Sequence, residues 1–115
     1  MRIDIQGRNV EITEELRDAV TSRFKRVGRQ LSDEASLEIV LTEERNPAIS
    51  DGECAEATLY MKGATLHARE CAPEMLHAIH ELAEDIRRQV KKKRDKRRAR
   101  SKARRLGRAL RDSTA

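Results

Sequence analysis

The apolar residues of this chain change their repeat along its length, and that switching limits the folds open to it. Met1, Ile3 and Ile5 alternate with Arg2, Asp4 and Gln6, the period of a half-buried strand that Gly7 ends. Leu16, Val20, Phe24, Val27 and Leu31 then follow at spacings of four, four, three and four, which align on one narrow helical stripe. Thr13 is placed to cap that helix, with Glu14 and Glu15 near the positive end of its dipole. Alternation returns at Leu37, Ile39 and Leu41, again at Ala55, Ala57, Leu59 and Met61, and once more at Ala64, Leu66 and Ala68. Asn46-Pro47 and Lys62-Gly63 supply the turns between these runs. Pro73 suits the first turn of a second helix, whose stripe is Met75, Ile79, Leu82, Ile86 and Val90. The next position in that register is Lys93, which no core accepts, so a helix continuing past it has left the sheet.

The order is therefore strand, helix, three strands, helix, and both helices need the same apolar sheet face. The opposite face, with Arg2, Asp4, Glu38, Thr42, Glu56, Thr58, Tyr60, Thr65, His67 and Arg69, is polar enough to meet water. The predicted fold class is α+β: a two-layer sandwich, β-α-β-β-β-α, with a four-stranded sheet and two helices on one face. Residues 1–92 form the sandwich domain. Residues 93–115 are expected to form a basic, flexible C-terminal arm, because self-repulsion keeps the Lys, Arg and Ala-rich run 91–111 at least partly disordered in isolation, although Ala and Arg favour helix once phosphates neutralise them. Leu106 and Leu110 are too few apolar groups to hold it down.

Charge divides the chain in the same place. Residues 1–86 carry 10 Lys/Arg against 18 Asp/Glu, a net of −8, whereas residues 87–115 carry 15 Lys/Arg against Asp95 and Asp112, a net of +13. Dense cations of this kind attract polyphosphate or anionic lipid and release condensed counterions. On the helical wheel, Lys25, Arg26 and Arg29 point away from the first apolar stripe and Arg23 sits at its border, while Arg87, Arg88, Lys91 and Lys92 decorate the second helix. Two such helices side by side make a positive ridge or groove. With aromatics at 2 % the chain lacks the stacking platforms of single-strand binders, and Tyr60 is read as a cross-strand packing residue. Backbone and shape recognition, as of a structured RNA, is favoured over base reading.

Catalytic chemistry finds little to use. There is no Ser-His-Asp pattern and no phosphate-cradling Gly loop, so the chain is expected not to be an enzyme. Cys54 and Cys71 are expected to be free thiols, since a reducing cytosol disfavours pairing. Together with His67, His77 and His80 they lack the spacing of a metal site, and neither metal nor cofactor is expected. No apolar run approaches a membrane span and the N-terminus lacks a secretory core, which gives a cytoplasmic expectation without a membrane partner or a small-molecule substrate.

The opening Ile5-Gln6-Gly7-Arg8-Asn9-Val10-Glu11-Ile12-Thr13-Glu14-Glu15-Leu16-Arg17 resembles the start of bacterial ribosome hibernation-promoting factors, also called ribosome-associated inhibitors or sigma-54 modulation proteins. Met75, Ala78-Ile79 and Leu82, followed by Arg88-Gln89, Lys92 and Asp95-Lys96, resemble that family's final helix in register, and Glu44-Arg45-Asn46-Pro47 is similar to a segment of some longer members. The resemblance covers residues 1 to about 96. It implies the β-α-β-β-β-α fold and a partner: the small ribosomal subunit and its rRNA, bound in the channel where mRNA and tRNAs meet, with translation inhibited in stationary phase or stress. By position, Arg23, Arg26, Arg29, Arg88, Lys92 and Lys96 match basic positions of the family; Lys25, Arg87, Lys91 and Arg94 join them by geometry. Leu76 stands where many relatives have Tyr, which removes an aromatic contact. No C-terminal dimerisation domain follows the arm, so the chain resembles the short type and is expected to be monomeric off the ribosome. The rival expectation is a general nucleic-acid-binding protein acting through its basic arm alone.

Overall fold

A computed structural model describes residues 1–31, 33–46 and 48–113; the turn residue Pro47 lies outside these, and so do the side chains of 109–113, Leu110 among them. Six elements follow in the predicted order: β1 (Arg2–Arg8), α1 (Glu14–Gly28), β2 (Ser36–Glu43), β3 (Glu53–Met61), β4 (Ala64–Ala72) and α2 (Met75–Ser113). They form a mixed four-stranded sheet in the order β1-β2-β3-β4, with β1 parallel to β2 and the remaining pairs antiparallel. The parallel pair follows from α1, because a strand that returns through a helix re-enters the sheet in its original direction. The Thr13 hydroxyl accepts the Leu16 N–H at 3.2 Å, so the expected cap starts α1. Asn46 shapes the turn after β2 by accepting the Ala48 N–H on its side chain at 3.0 Å and the Ile49 N–H on its carbonyl at 3.0 Å. Gly63 sits at φ +80° in the two-residue β3–β4 turn, a left-handed conformation that favours glycine. Pro73 lies just ahead of α2 instead of inside its first turn.

Strand register places one residue of each strand in each core layer. Ile3, Leu37, Leu59 and Leu66 form one row and Ile5, Ile39, Ala57 and Ala68 the next. Val20, Phe24 and Val27 of α1 and Ala78, Ile79, Leu82, Ile86 and Val90 of α2 pack onto these rows in a single cluster. Both helices therefore cover one sheet face. Small residues at 55, 57, 68, 72 and 78 let α2 sit close to β3 and β4. Gln89 fixes its rotation by donating to the His67 carbonyl of β4 at 3.0 Å and to Asp85 at 3.0 Å. The uncovered face is polar, with the Tyr60 hydroxyl donating to Glu38 at 3.3 Å and His67 Nε2 lying 2.8 Å from Glu56.

Two expectations are corrected. The run 91–111, expected to be at least partly disordered, is a continuation of α2 to Ser113. It inherits a helix already nucleated and packed over 75–90, and Arg, Lys and Ala rank among the better helix formers, so each further residue adds a hydrogen bond without a new nucleus. The extension gives the molecule a long axis of 71 Å. Cys54 and Cys71, expected to be free thiols, form a disulfide. The β3–β4 register sets them directly opposite each other with Cα atoms 4.1 Å apart, a proximity that compartment arguments do not see. Their sequence separation of 17 closes a loop for which the chain-entropy argument gives at most about 3 kcal/mol, reduced because the hairpin already closes it. Dithiothreitol is expected to lower the urea midpoint, and with it the extrapolated unfolding free energy by an amount inside that bound. An unchanged midpoint would show that the bridge contributes nothing.

Candidate nucleic-acid interface

α1 and α2 lie side by side, and a groove of about 410 Å³ opens between them. Ala19, Arg23 and Arg26 recur at helical spacing beside the buried stripe of α1, so they face α2 and not the sheet. Ala83 and Arg87 answer from α2. The two alanines keep the helices close, and the arginines rise along the rims. One acid intrudes: Glu84 accepts from Arg87 at 2.9 Å, and that hydrogen bond holds the Glu84 carboxyl below its ordinary range. Three guanidinium groups against one carboxylate leave the groove positive. Lys25, one residue and hence 100° round the helix from Arg26, and Arg29, at the C-cap, are exposed and lie outside the lining of this groove.

A second basic surface runs along the outer flank of α2, where Arg88, Lys91, Lys92 and Lys96 surround Asp95. Arg88 also faces an acidic group below it. Glu70, on the covered side of β4, has its carboxyl raised above the ordinary 4.5, first by burial, then by its hydrogen bond with Asp85 and the charges of Asp85 and Glu81, with Arg88 opposing. A carboxyl whose folded-state pKa exceeds its unfolded one holds its proton more tightly when folded. Its contribution to stability is therefore complete below about 4.5 and is lost as pH rises through the higher folded value. Glu70→Gln is expected to melt with the parent at about pH 4 and above it at about pH 7, a divergence that grows as the parent's carboxyl ionises. Equal melting temperatures at both would contradict the assignment.

Where α2 leaves the sheet, a third concavity of about 370 Å³ forms beneath it, bounded by the residues after α1 and by the β3–β4 turn. Lys62, Lys93, Arg94, Lys96, Arg97 and Arg100 line it. Arg94 donates to Gln30 at 3.3 Å, its Nε is buried without a partner among the described residues, and Arg97 donates to the Lys62 carbonyl at 3.4 Å.

The ten cations singled out in the sequence thus divide. Arg23, Arg26 and Arg87 meet in the inter-helical groove; Arg88, Lys91, Lys92 and Lys96 share the outer flank; Arg94 turns under the overhang with Lys96 at its rim; Lys25 and Arg29 stand apart. Lys62, Lys93, Arg97 and Arg100 were missed. The signal for three of them was present, since Lys93, Arg97 and Arg100 extend the spacing of Ile86 and Val90. Among the described residues no group of three or more His, Cys, Asp or Glu could hold a metal ion, and no helix is long and apolar enough to cross a membrane.

Comparison with known proteins agrees with this architecture. A family profile described as Sigma 54 modulation protein / S30EA ribosomal protein matches residues 3–98. The chain is 35 % identical over 96 residues to the ribosome hibernation promoting factor of Salmonella typhimurium, an alignment spanning 84 % of this chain and 96 % of that protein. The crystal structure of the N-terminal domain of Thermus thermophilus Protein Y superposes with a TM-score of 0.68 at 27 % identity, over 80 % of this chain and 98 % of that one. A ribosomal subunit interface protein from Coxiella burnetii shares the fold with a TM-score of 0.70 at 19 % identity, over 83 % and 99 %.

Proposed function

The chain belongs to the Sigma 54 modulation protein / S30EA ribosomal protein family, and on that premise we propose that it is a ribosome hibernation factor. It acts in the cytoplasm, binds the small ribosomal subunit through rRNA at the channel where mRNA and tRNAs meet, and so stops translation in starved or stationary cells. The inter-helical groove carries the reading. Arg23, Arg26 and Arg87 are held by helices that are themselves anchored through Val20, Phe24, Ile86 and Val90, so the cations are presented without a large ordering cost. Guanidinium groups engage phosphate in bidentate pairs, and the flank cations Arg88, Lys91, Lys92 and Lys96 extend the track along α2. Contacts of this kind position a protein on folded RNA by its backbone and shape, which suits a chain with so few exposed aromatics.

Sucrose-gradient sedimentation of a stationary-phase lysate at physiological salt tests the proposal. Co-migration with small subunits or whole ribosomes is expected; protein confined to the ribosome-free fractions would end it. A second reading rests on one observation: the family match stops at residue 98, whereas α2 continues to Ser113 with six Lys/Arg and only Asp112 between 99 and 113. In that reading the extension alone binds polyanions. Deleting residues 99–115 separates the two, because the groove predicts that most ribosome association survives and the second reading predicts that it disappears.

A further inference from the structure

We propose that the cavity beneath the overhang of α2 binds a nucleoside polyphosphate. The register of α2 leads to it. Ile79, Leu82, Ile86 and Val90 form the helix's buried inner face, and the same spacing continues as Lys93, Arg97 and Arg100. The inner face becomes cationic at the point where the sheet beneath it ends. Lys62 of the β3–β4 turn and Arg94 and Lys96 of α2 complete a rim of six cations, and among the described residues lining the cavity none is acidic. Both other concavities contain a carboxylate, Glu84 in one and Asp95 in the other.

Six like charges around about 370 Å³ repel one another unless a polyanion lies among them. Lys93 to Arg100 spans about 10 Å along the helix, which suits a chain of linked phosphates better than a single one. Two of the guanidinium groups are already oriented, Arg94 by Gln30 and Arg97 by the Lys62 carbonyl. The floor argues for a nucleoside on that chain: the half-buried Leu31 and Met61, backed by the buried Ala35 and Val90, offer an apolar surface for the face of a base, with the polarizable Met61 thioether able to adapt to it. The volume lies in the range of small-molecule sites and is too small to admit a duplex.

Isothermal titration of the full chain, without ribosomes, reads this site independently of any ribosome binding. ATP is expected to bind at one per chain, adenosine not to bind, and inorganic tripolyphosphate to bind more weakly than ATP because it leaves the floor empty. Arg97→Glu with Arg100→Glu is expected to weaken ATP binding by about tenfold or more, as befits two lost charge-assisted pairs. Lys102→Glu with Arg105→Glu makes the same charge change on the same helix outside the cavity and is expected to alter it by no more than about twofold, a screened long-range effect. Circular dichroism checks that both variants keep their helix. The proposal is overturned by absence of saturable ATP binding, by tripolyphosphate binding as tightly as ATP, or by equal losses in the two charge variants.

Discussion

Arg26→Glu combined with Arg87→Glu is expected to weaken ribosome binding by about a hundredfold at physiological salt while leaving the fold intact, because each reversal removes one phosphate contact and adds a repulsion. That factor corresponds to about 2.7 kcal/mol, or about 1.4 per site. Both side chains are exposed, so neither change empties the core, and both line the same groove from opposite helices. The salt dependence carries the sharper signature. Loss of two phosphate contacts should reduce the log–log slope by about two, which a change in non-electrostatic packing would leave alone. Lys25→Glu reverses one charge, half the change of the double variant, on the side of α1 turned away from the groove, and its cost should be several times smaller than the double variant's loss per site. Filter binding to purified small subunits across a salt series measures all three proteins; an unchanged affinity for the double variant, or an equal loss per site for Lys25→Glu, would remove the groove from the interface.

Phe24→Ala should cost about 3–5 kcal/mol, the range for emptying a buried aromatic site. Phe24 is 0 % exposed and shares its cluster with the central β2 and β3 rows and with the inner face of α2. No second large apolar ring can move into the space, since the chain has no Trp and its one Tyr, Tyr60, lies on the opposite sheet face at 43 % exposure. For a domain of this size each kcal/mol shifts the melting temperature by about 4–8 °C, so a fall of about 12–40 °C is expected. Tyr60→Ala, which loses an exposed ring and one hydrogen bond, should cost about 1 kcal/mol or less. The contrast has a functional side, because Phe24 lies between Arg23 and Arg26 in sequence and holds the helix that presents them. Thermal melts followed by circular dichroism decide it; comparable shifts for the two aromatics would mean that the core is not organised around Phe24.

Much of this molecule could be read before any coordinates. Spacing gave α1 through Leu16, Val20, Phe24 and Val27, the Thr13 cap, the Lys62-Gly63 turn and the departure of α2 from the sheet at Lys93, and the structure contains each of them. These are local properties, fixed by the alternation or the 100° step of a single segment against a single apolar layer. Residues 93–113 show the limit of local reasoning about charge: self-repulsion argued for disorder, whereas a helix already anchored by Ile79, Leu82 and Ile86 needs no new nucleus to continue.

What the chain alone determined is the order and type of the elements and which residues of the two apolar stripes face inward, because those depend on neighbours a few positions away; the end of α2 at Ser113 was not among them. Tertiary structure decided which elements lie beside which, and with that the chemistry. Cys54 met Cys71 because β3 and β4 pair in one particular register, and Arg87 joined Arg23 and Arg26 while Lys25 did not because the rotation of α1 about its axis is set by the sheet beneath it. Lys62 came under Arg97 across a sequence gap of 35 residues. Proximity between distant segments is a property of packing in three dimensions, and one segment's periodicity carries no information about the partner's phase.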